Sequence, residues 1–206
     1  WDVIRATTAE LLRSAEHDIL KDLAGIERQL DHHDMYARIA ARLPLPPPSN
    51  LEIVDYRPAL KKHFKRLNYQ WLTRFFEVEP ADEEILSDPN GKIIKRGGTI
   101  LFAKLNGDVV GTCALIRHGE GMYELAKMAV TREAQGRKIG RQLAEAIIER
   151  ARRTGAGWLY LQTSPGLLAA NRLYRNLNFR TVKSVPWPDA EYRRETITMR
   201  LNLEKK

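Results

Sequence analysis

The sequence predicts an α+β fold, one mixed α/β sheet with helices, preceded by a helical appendage. Three observations predict it. The proline-rich stretch LPLPPPSN, 43–50, divides the chain. After it come strand patterns joined by tight turns, which read as antiparallel hairpins. A strand, a glycine-bearing loop, a helix and another strand then follow, and such a crossover implies one parallel pairing in the sheet.

Residues 1–44 form the helical segment. Ile19, Leu23, Ile26 and Leu30 recur at helical steps, and Ile4, Leu11, Leu12 and Ala15 extend the stripe backwards. A long amphipathic helix is expected, then a short one around Tyr36, Ile39 and Leu43. A segment this short buries little core alone. It is expected to cap the following domain or to form a homodimer. Residues 45–50 are the linker, because consecutive prolines cannot continue a helix and act as a stiff spacer. The chain opens on Trp1, and reads as a trimmed or processed product.

Residues 51–206 form the main domain. LEIVDY, 51–56, alternates as a strand. Residues 57–76 put Leu60, Phe64, Leu67, Trp71 and Phe75 on one side of a helix, and 80–87 read as a short acidic helix. Residues 99–118 are two strands joined at Asn106-Gly107, a tight hairpin signal. A turn at Gly119-Glu120-Gly121 leads to the strand YELAKMAV. Helix 140–151 carries Gly140, Leu143, Ala144, Ile147, Ile148 and Ala151 on one stripe. GWLYLQT, 157–163, is an apolar strand. Residues 165–178 predict a helix with Pro165 at its start, and FRTV and YRRETITMRLNL close as a strand pair. The order is β-α-α-β-β-β-α-β-α-β-β.

Composition narrows the function. No run of eighteen apolar residues appears, so no membrane span is expected. The polar N-terminus does not read as a secretory leader. The single cysteine, Cys113, rules out an internal disulfide and fits a reducing cytoplasm. No Cys/His cluster has metal-ligand spacing, and His32-His33 reads as a solvated pair. Residues 1–50 hold 6 Lys/Arg against 8 Asp/Glu, whereas residues 51–206 hold 28 against 18, or +10. A basic domain favours nucleic acid, a membrane surface or a polyphosphate cofactor.

The cations point to the last of these. AQGRKIGRQLAEAIIERARR, 134–153, sets Gly136 and Gly140 beside Arg137, Lys138 and Arg141 at the mouth of a helix. Free N–H groups and the helix dipole make such a terminus an anion site. A solvated basic first turn is the plain alternative. No GK[ST] follows, so the loop is not a Walker motif. It is not GxGxxG, and the antiparallel hairpins before it argue against a dinucleotide fold.

Over residues 51–203 the chain resembles the GNAT superfamily, the acetyl-CoA-dependent N-acetyltransferases. That family's signature is a strand ending in hydrophobic-x-Val, then Q/R-x-x-G-x-G/A opening a helix. Met128-Ala129-Val130 and Gln135-Gly136-Arg137-Lys138-Ile139-Gly140 match it, except that Lys138 stands where the first signature glycine belongs. The resemblance implies that acetyl-CoA is held by Met128, Ala129 and Val130 and by Gln135 through Arg141. It implies Glu124 as general base, six residues before Val130, where even spacing puts both on one sheet face. Solvent exposure, or pairing with Lys104 or Arg117, is the bland role for that glutamate. It implies Tyr174 as general acid, from A-x-x-L-Y-x-x-x-G-F, with Asn178 in place of the glycine. Asparagine tolerates the left-handed helix end. Asn171, one turn earlier, is expected to hydrogen-bond the cofactor arm.

The acceptor implied is an amine, on a small molecule or a peptide. Tyr69, Trp71, Phe75 and Phe76 precede Glu77, Glu79, Asp82, Glu83 and Glu84, and an acidic rim beside aromatics would suit a cationic amine. A core aromatic stripe and a solvated helix start are the plainer reading. Residues 1–44 loosely resemble the dimer-forming helices of MarR-type regulators, some of which are fused to a GNAT domain. An acyl-CoA sensor attached to such a regulator is therefore the rival to the enzyme. Nucleic-acid binding ranks below both, since the cations gather where coenzyme A phosphates would lie.

Overall fold

In a computed structural model, the structure describes residues 50–186 and 194–203. The expected helices of 1–44, with their cap or dimer role, and the linker at 45–49 lie outside the described residues.

The core of the fold is a seven-stranded sheet in the order β1-β2-β3-β4-β5-β7-β6. The strands are β1 (Leu51–Asp55), β2 (Thr99–Leu105), β3 (Asp108–Gly119), β4 (Met122–Val130), β5 (Trp158–Thr163), β6 (Arg180–Val182) and β7 (Ile197–Asn202). All neighbours run antiparallel except β4 and β5, which are parallel, as the crossover requires. Asn106 and Gly107 have φ of 52° and 91°, so both take the left-handed backbone that a two-residue hairpin turn demands.

Among the described residues five helices cover the sheet: α1 (Lys61–Phe75), α2 (Pro80–Ser87), the single turn α3 (Pro89–Lys92), α4 (Ile139–Arg153) and α5 (Leu168–Asn176). Helix α4 buries Leu143, Ala144, Ile147, Ile148 and Ala151, the predicted stripe. These pack with Tyr174 of α5 on one face of the sheet, against Leu101, Cys113, Leu115 and Leu125. Phe64, Leu67 and Leu72 of α1 and Leu86 of α2 pack on the other face, against Ile100, Phe102, Ala114 and Ala129.

Two boundaries differ from expectation. The 57–76 helix opens with a tighter 3-10 turn, Pro58–Leu60. Helix α5 begins at Leu168, three residues after Pro165, because Ser164, Pro165 and Gly166 form a turn closed by Leu167 N–H to Ser164 O, 3.1 Å. Its end is as expected: Asn178 has φ of 68°.

One correction concerns β4. Thr112 pairs with Ala129 and Ala114 with Ala126, so Lys127 and Met128 together oppose Cys113. This is a β-bulge, and Lys127 sits in it at φ 51°. The extra residue shifts the alternation by one. Glu124, Ala126 and Ala129 therefore share the α1 face, while Val130 lies on the opposite face with α4 and α5. The even spacing of Glu124 and Val130 does not put them on one face.

Candidate active site

β4 and β5 part company. Their ladder runs from Met122–Trp158 to Glu124–Tyr160, yet β4 continues to Val130 and β5 to Thr163. A cavity of about 1170 Å³ occupies the opening. It reaches both faces of the sheet. Trp71, Phe75 and Phe76 line it from the α1 side, and Leu173 and Tyr174 from α5.

Most of the predicted cofactor residues meet here. Met128, Ala129, Val130, Gln135, Gly136, Lys138, Ile139, Gly140 and Arg141 all line the cavity. Gly136 and Lys138 have φ of 76° and 61°. Lys138, in the place of the signature glycine, thus adopts the conformation that favours glycine, and it caps the start of α4. Among the described residues no side chain caps that helix start, so its first N–H groups, in residues that line the cavity, lack intrahelical partners. A Cβ on Gly140 would lie 3.8 Å from both Leu173 Cδ2 and Val130 Cγ2, an ordinary contact distance. Packing within the chain therefore does not require a glycine at 140. The space beside it opens to the cavity.

Two predicted residues stand back. Arg137 is half-buried and outside the cavity wall. Asn171 is buried and also outside the wall; its Nδ2 donates to Ser164 O (2.9 Å) and Pro165 O (3.2 Å), which holds the turn before α5. Its Oδ1 has no hydrogen-bond partner among the described residues. The same is true of Gln135 Oε1 and Thr163 Oγ1, both in residues that line the cavity. Gln135 Nε2 donates to Val130 O at 3.3 Å.

Buried polar atoms without partners cost free energy unless a ligand satisfies them. Together with the parted strand edge, the bare helix start, and Lys138, Arg141, Arg172 and Arg175 on the wall, they describe a site for an extended polyanion with an amide-bearing arm. The residues present fit acetyl-CoA on those grounds.

Glu124 and Tyr174 also line the cavity, from opposite faces of the sheet. Glu124 Oε2 lies 2.7 Å from His118 Nε2, and its side chain is 13% exposed. Neither Lys104 nor Arg117 is the partner; Arg117 Nε donates instead to Gly119 O at 3.2 Å. Tyr174 is buried and its ring meets Phe179 edge-on at 5.9 Å. Burial pushes the Tyr174 phenol up, and the neighbouring Cys113 adds to the shift. The phenol is therefore protonated throughout the neutral range.

The acceptor side corrects a second expectation. Of the acidic residues after α1, Glu79, Asp82, Glu83 and Glu84 are ion-paired, and Glu77 is exposed. Asp82, 1% exposed, takes Lys127 Nζ at 2.7 Å and Arg194 at 2.7 and 3.1 Å. Glu79 takes Arg194 as well, at 3.1 Å. Glu83 pairs with Lys65 and Glu84 with Lys92. The aromatics are neither plain core nor plain surface. Trp71 stands 5.6 Å from Phe75 and 5.8 Å from Phe76, and Arg194 lies over the Phe76 ring at 5.4 Å.

Sequence reasoning missed His118, Lys127, Thr163, Arg172, Arg175 and Arg194. His118 was not within reach of a regular register: the pairing shifts between Arg117 and Gly119, and that irregularity brings His118 to the Glu124 face.

Comparison with known proteins agrees with this fold. Residues 64–179 match the model of the acetyltransferase (GNAT) family. An uncharacterized N-acetyltransferase of Schizosaccharomyces pombe is 30% identical over 167 residues, covering 77% of this chain and 98% of its own. An IAA acetyltransferase of Azospirillum brasilense is 37% identical over 106 residues, covering 50% of this chain and 67% of its own. Among solved structures, a GNAT-family acetyltransferase of Staphylococcus aureus superposes with a TM-score of 0.68 at 22% identity, over 75% of this chain and all of that one. The yncA protein of Salmonella typhimurium, solved with its cofactor acetyl-CoA, gives 0.60 at 22% identity, over 77% and 96%. At such identities the structural likeness is one of fold.

Proposed function

The chain belongs to the acetyltransferase (GNAT) family, and from that premise we propose that it moves an acetyl group from acetyl-CoA directly to a primary amine. One observation carries the reading. A single cavity brings a carboxylate from one face of the sheet and a phenol from the other to the gap between β4 and β5.

Bound acetyl-CoA supplies an acetyl group activated as a thioester. Gln135, Gly136 and Lys138 to Arg141, with Arg172 and Arg175, would hold its phosphates. The strand edge at Met128 to Val130 would bind the arm and offer N–H groups to polarise the reacting carbonyl. The acceptor enters from the α1 side, past Trp71, Phe75 and Phe76. An amine is largely protonated at neutral pH and cannot attack in that form. Glu124, through the oxygen not held by His118, removes the proton. Tyr174, kept protonated by burial, holds a proton on Oη for the departing sulfur.

Tyr174→Phe tests this. The variant keeps the ring and its contact with Phe179. We expect acetyl-CoA binding by calorimetry to persist and kcat on an amine panel to fall about 10²- to 10⁴-fold, the usual reach of general acid–base catalysis. A variant with parental kcat would remove Tyr174 from the mechanism.

A further inference from the structure

His118 sits between two cavities. Its ring nitrogen Nε2 holds Glu124 Oε2 at 2.7 Å, and Glu124 lines the large cavity. His118 itself lines a second, smaller cavity of about 300 Å³ on the α2 side. The charged groups around it there are Glu84 of α2, Lys92 of α3, Arg96, and Arg117 of β3. The acidic one, Glu84, is already ion-paired with Lys92. The His118 side chain is 25% exposed, against 13% for Glu124. One hydrogen bond therefore joins a carboxylate on the reaction cavity to a partly exposed imidazole that lines the second cavity.

We propose that His118 is a relay residue that carries the proton taken up by Glu124 out of the reaction cavity into the second one. The inference rests on the base role given to Glu124 above. Proton balance makes the need plain. The acceptor nitrogen enters as an ammonium, forms the N–C bond and sheds two protons, while the C–S bond breaks. One proton ends on sulfur, by way of Tyr174. The other must reach water. The acceptor and cofactor themselves fill the large cavity during turnover, so its mouth is a poor exit. An imidazole accepts at one nitrogen and donates from the other, so it can pass a proton without moving. The second cavity, which His118 lines and Glu124 does not, provides an exit that bound substrates leave open.

The test uses the full chain and the first primary amine that the parent acetylates from a panel. His118→Gln and His118→Phe are assayed in a buffer without imidazole, then with imidazole added. His118 lies outside the large cavity wall, so acetyl-CoA affinity by calorimetry should match the parent. We expect kcat to fall about 10-fold or more in both variants, with KM for acetyl-CoA unchanged. Added imidazole, small enough for the second cavity, should restore kcat in a saturable way and leave the parent unaffected. A merely structural histidine would show no such rescue. Parental kcat in both variants, or a loss that imidazole does not repair, overturns the relay. Glu124→Gln separates this from the wider reading. If that variant keeps parental kcat, or if the parent acetylates no amine, the base role falls and the relay falls with it. If Glu124→Gln is impaired but the His118 variants are not, only the relay falls.

Discussion

At one end of the cavity, Lys138, Arg141, Arg172 and Arg175 stand on the wall, and of these only Arg141 has an ion-pair partner among the described residues, Glu145 at 2.8 Å. At the other end, Lys127 and Arg194 are locked onto Asp82 and Glu79. Both ends hold cations and both border the same space. The first keeps its charge available and its backbone donors bare. The second spends its charge internally and presents aromatic rings. A polyanion would be drawn to the first end and an uncharged or weakly charged face of an acceptor to the second. On the proposed reading the difference also marks where stability and binding separate: the open cations would serve a ligand, whereas the closed network ties α2 to β4.

The sharpest way to break that comparison is at Gly140. A carboxylate built there enters the open end, beside the bare helix start, and should repel phosphates. We expect Gly140→Glu to abolish measurable acetyl-CoA binding by calorimetry, with thermal unfolding close to the parent. Gly140→Ala refines the result. The added methyl has ordinary contacts with Leu173 and Val130, so the protein should gain about 0.5–1 kcal/mol from the better helix former. Any loss of acetyl-CoA affinity in that variant is then a clash with ligand alone. Unchanged affinity in both variants would mean that the cofactor does not lie over the start of α4.

Asp82→Asn acts on the closed end. It leaves Lys127 and Arg194, both largely buried, short of a carboxylate. Breaking one partner of a buried network costs about 3–5 kcal/mol, measurable by chemical denaturation. Acetyl-CoA affinity should stay within a few-fold of the parent, because the network lies at the far end. The pH dependence has a definite sign. Burial pushes the Asp82 carboxyl up, but hydrogen bonds and charge from Arg194 and Lys127 outweigh it and hold the group below its ordinary range. A depressed carboxyl contributes stability that is present above its unfolded value, about 3.9, and is lost as pH falls through its lower folded value. Parent and Asp82→Asn stabilities should therefore differ fully at neutral pH and converge in acid. A pH-independent gap would contradict the ion-pair account.

The two ends also differ in how far the sequence discloses them. The open end is one continuous stretch, Gln135 to Arg141, so its glycines, cations and helix start can be read together. Its burial stripe, Leu143 to Ala151, is periodic and came out as expected. The closed end is assembled across 45 residues between Asp82 and Lys127 and 112 between Asp82 and Arg194, and no local pattern joins them. Read locally, Glu79 to Glu84 is merely an acidic helix start. The bulge in β4 was hidden for another reason. YELAKMAV contains no glycine or turn residue, and the left-handed residue is a lysine, held by Asp82 from another element. Since face assignment rests on alternation, that single residue reversed the placement of Glu124 relative to Val130. Asn171 shows a third kind of miss. Its position in the helix was legible, but its amide nitrogen faces the Ser164 and Pro165 carbonyls, which only the folded turn supplies.

The smallest expected effect lies at Lys138, where the two ends use the same residue type for opposite purposes. Lys127 and Lys138 both sit at positive φ, 51° and 61°. Lys127 is held there by its ion pair with Asp82. Lys138 is exposed and has no such anchor among the described residues. A non-glycine residue in this region costs about 1–2 kcal/mol. Glycine relieves that cost but loses about 0.5–1 kcal/mol through the greater freedom of the unfolded chain. Lys138→Gly should therefore stabilise the fold by no more than about 1 kcal/mol. If the lysine is kept for its charge, the same variant should bind acetyl-CoA more weakly, and the weakening should fade in high salt as screening removes what the cation contributed. Calorimetry at two ionic strengths reads this directly. A variant that is more stable and binds equally well at both would show that Lys138 adds nothing at the open end, and that the backbone donors of α4 and the remaining cations hold the phosphates without it.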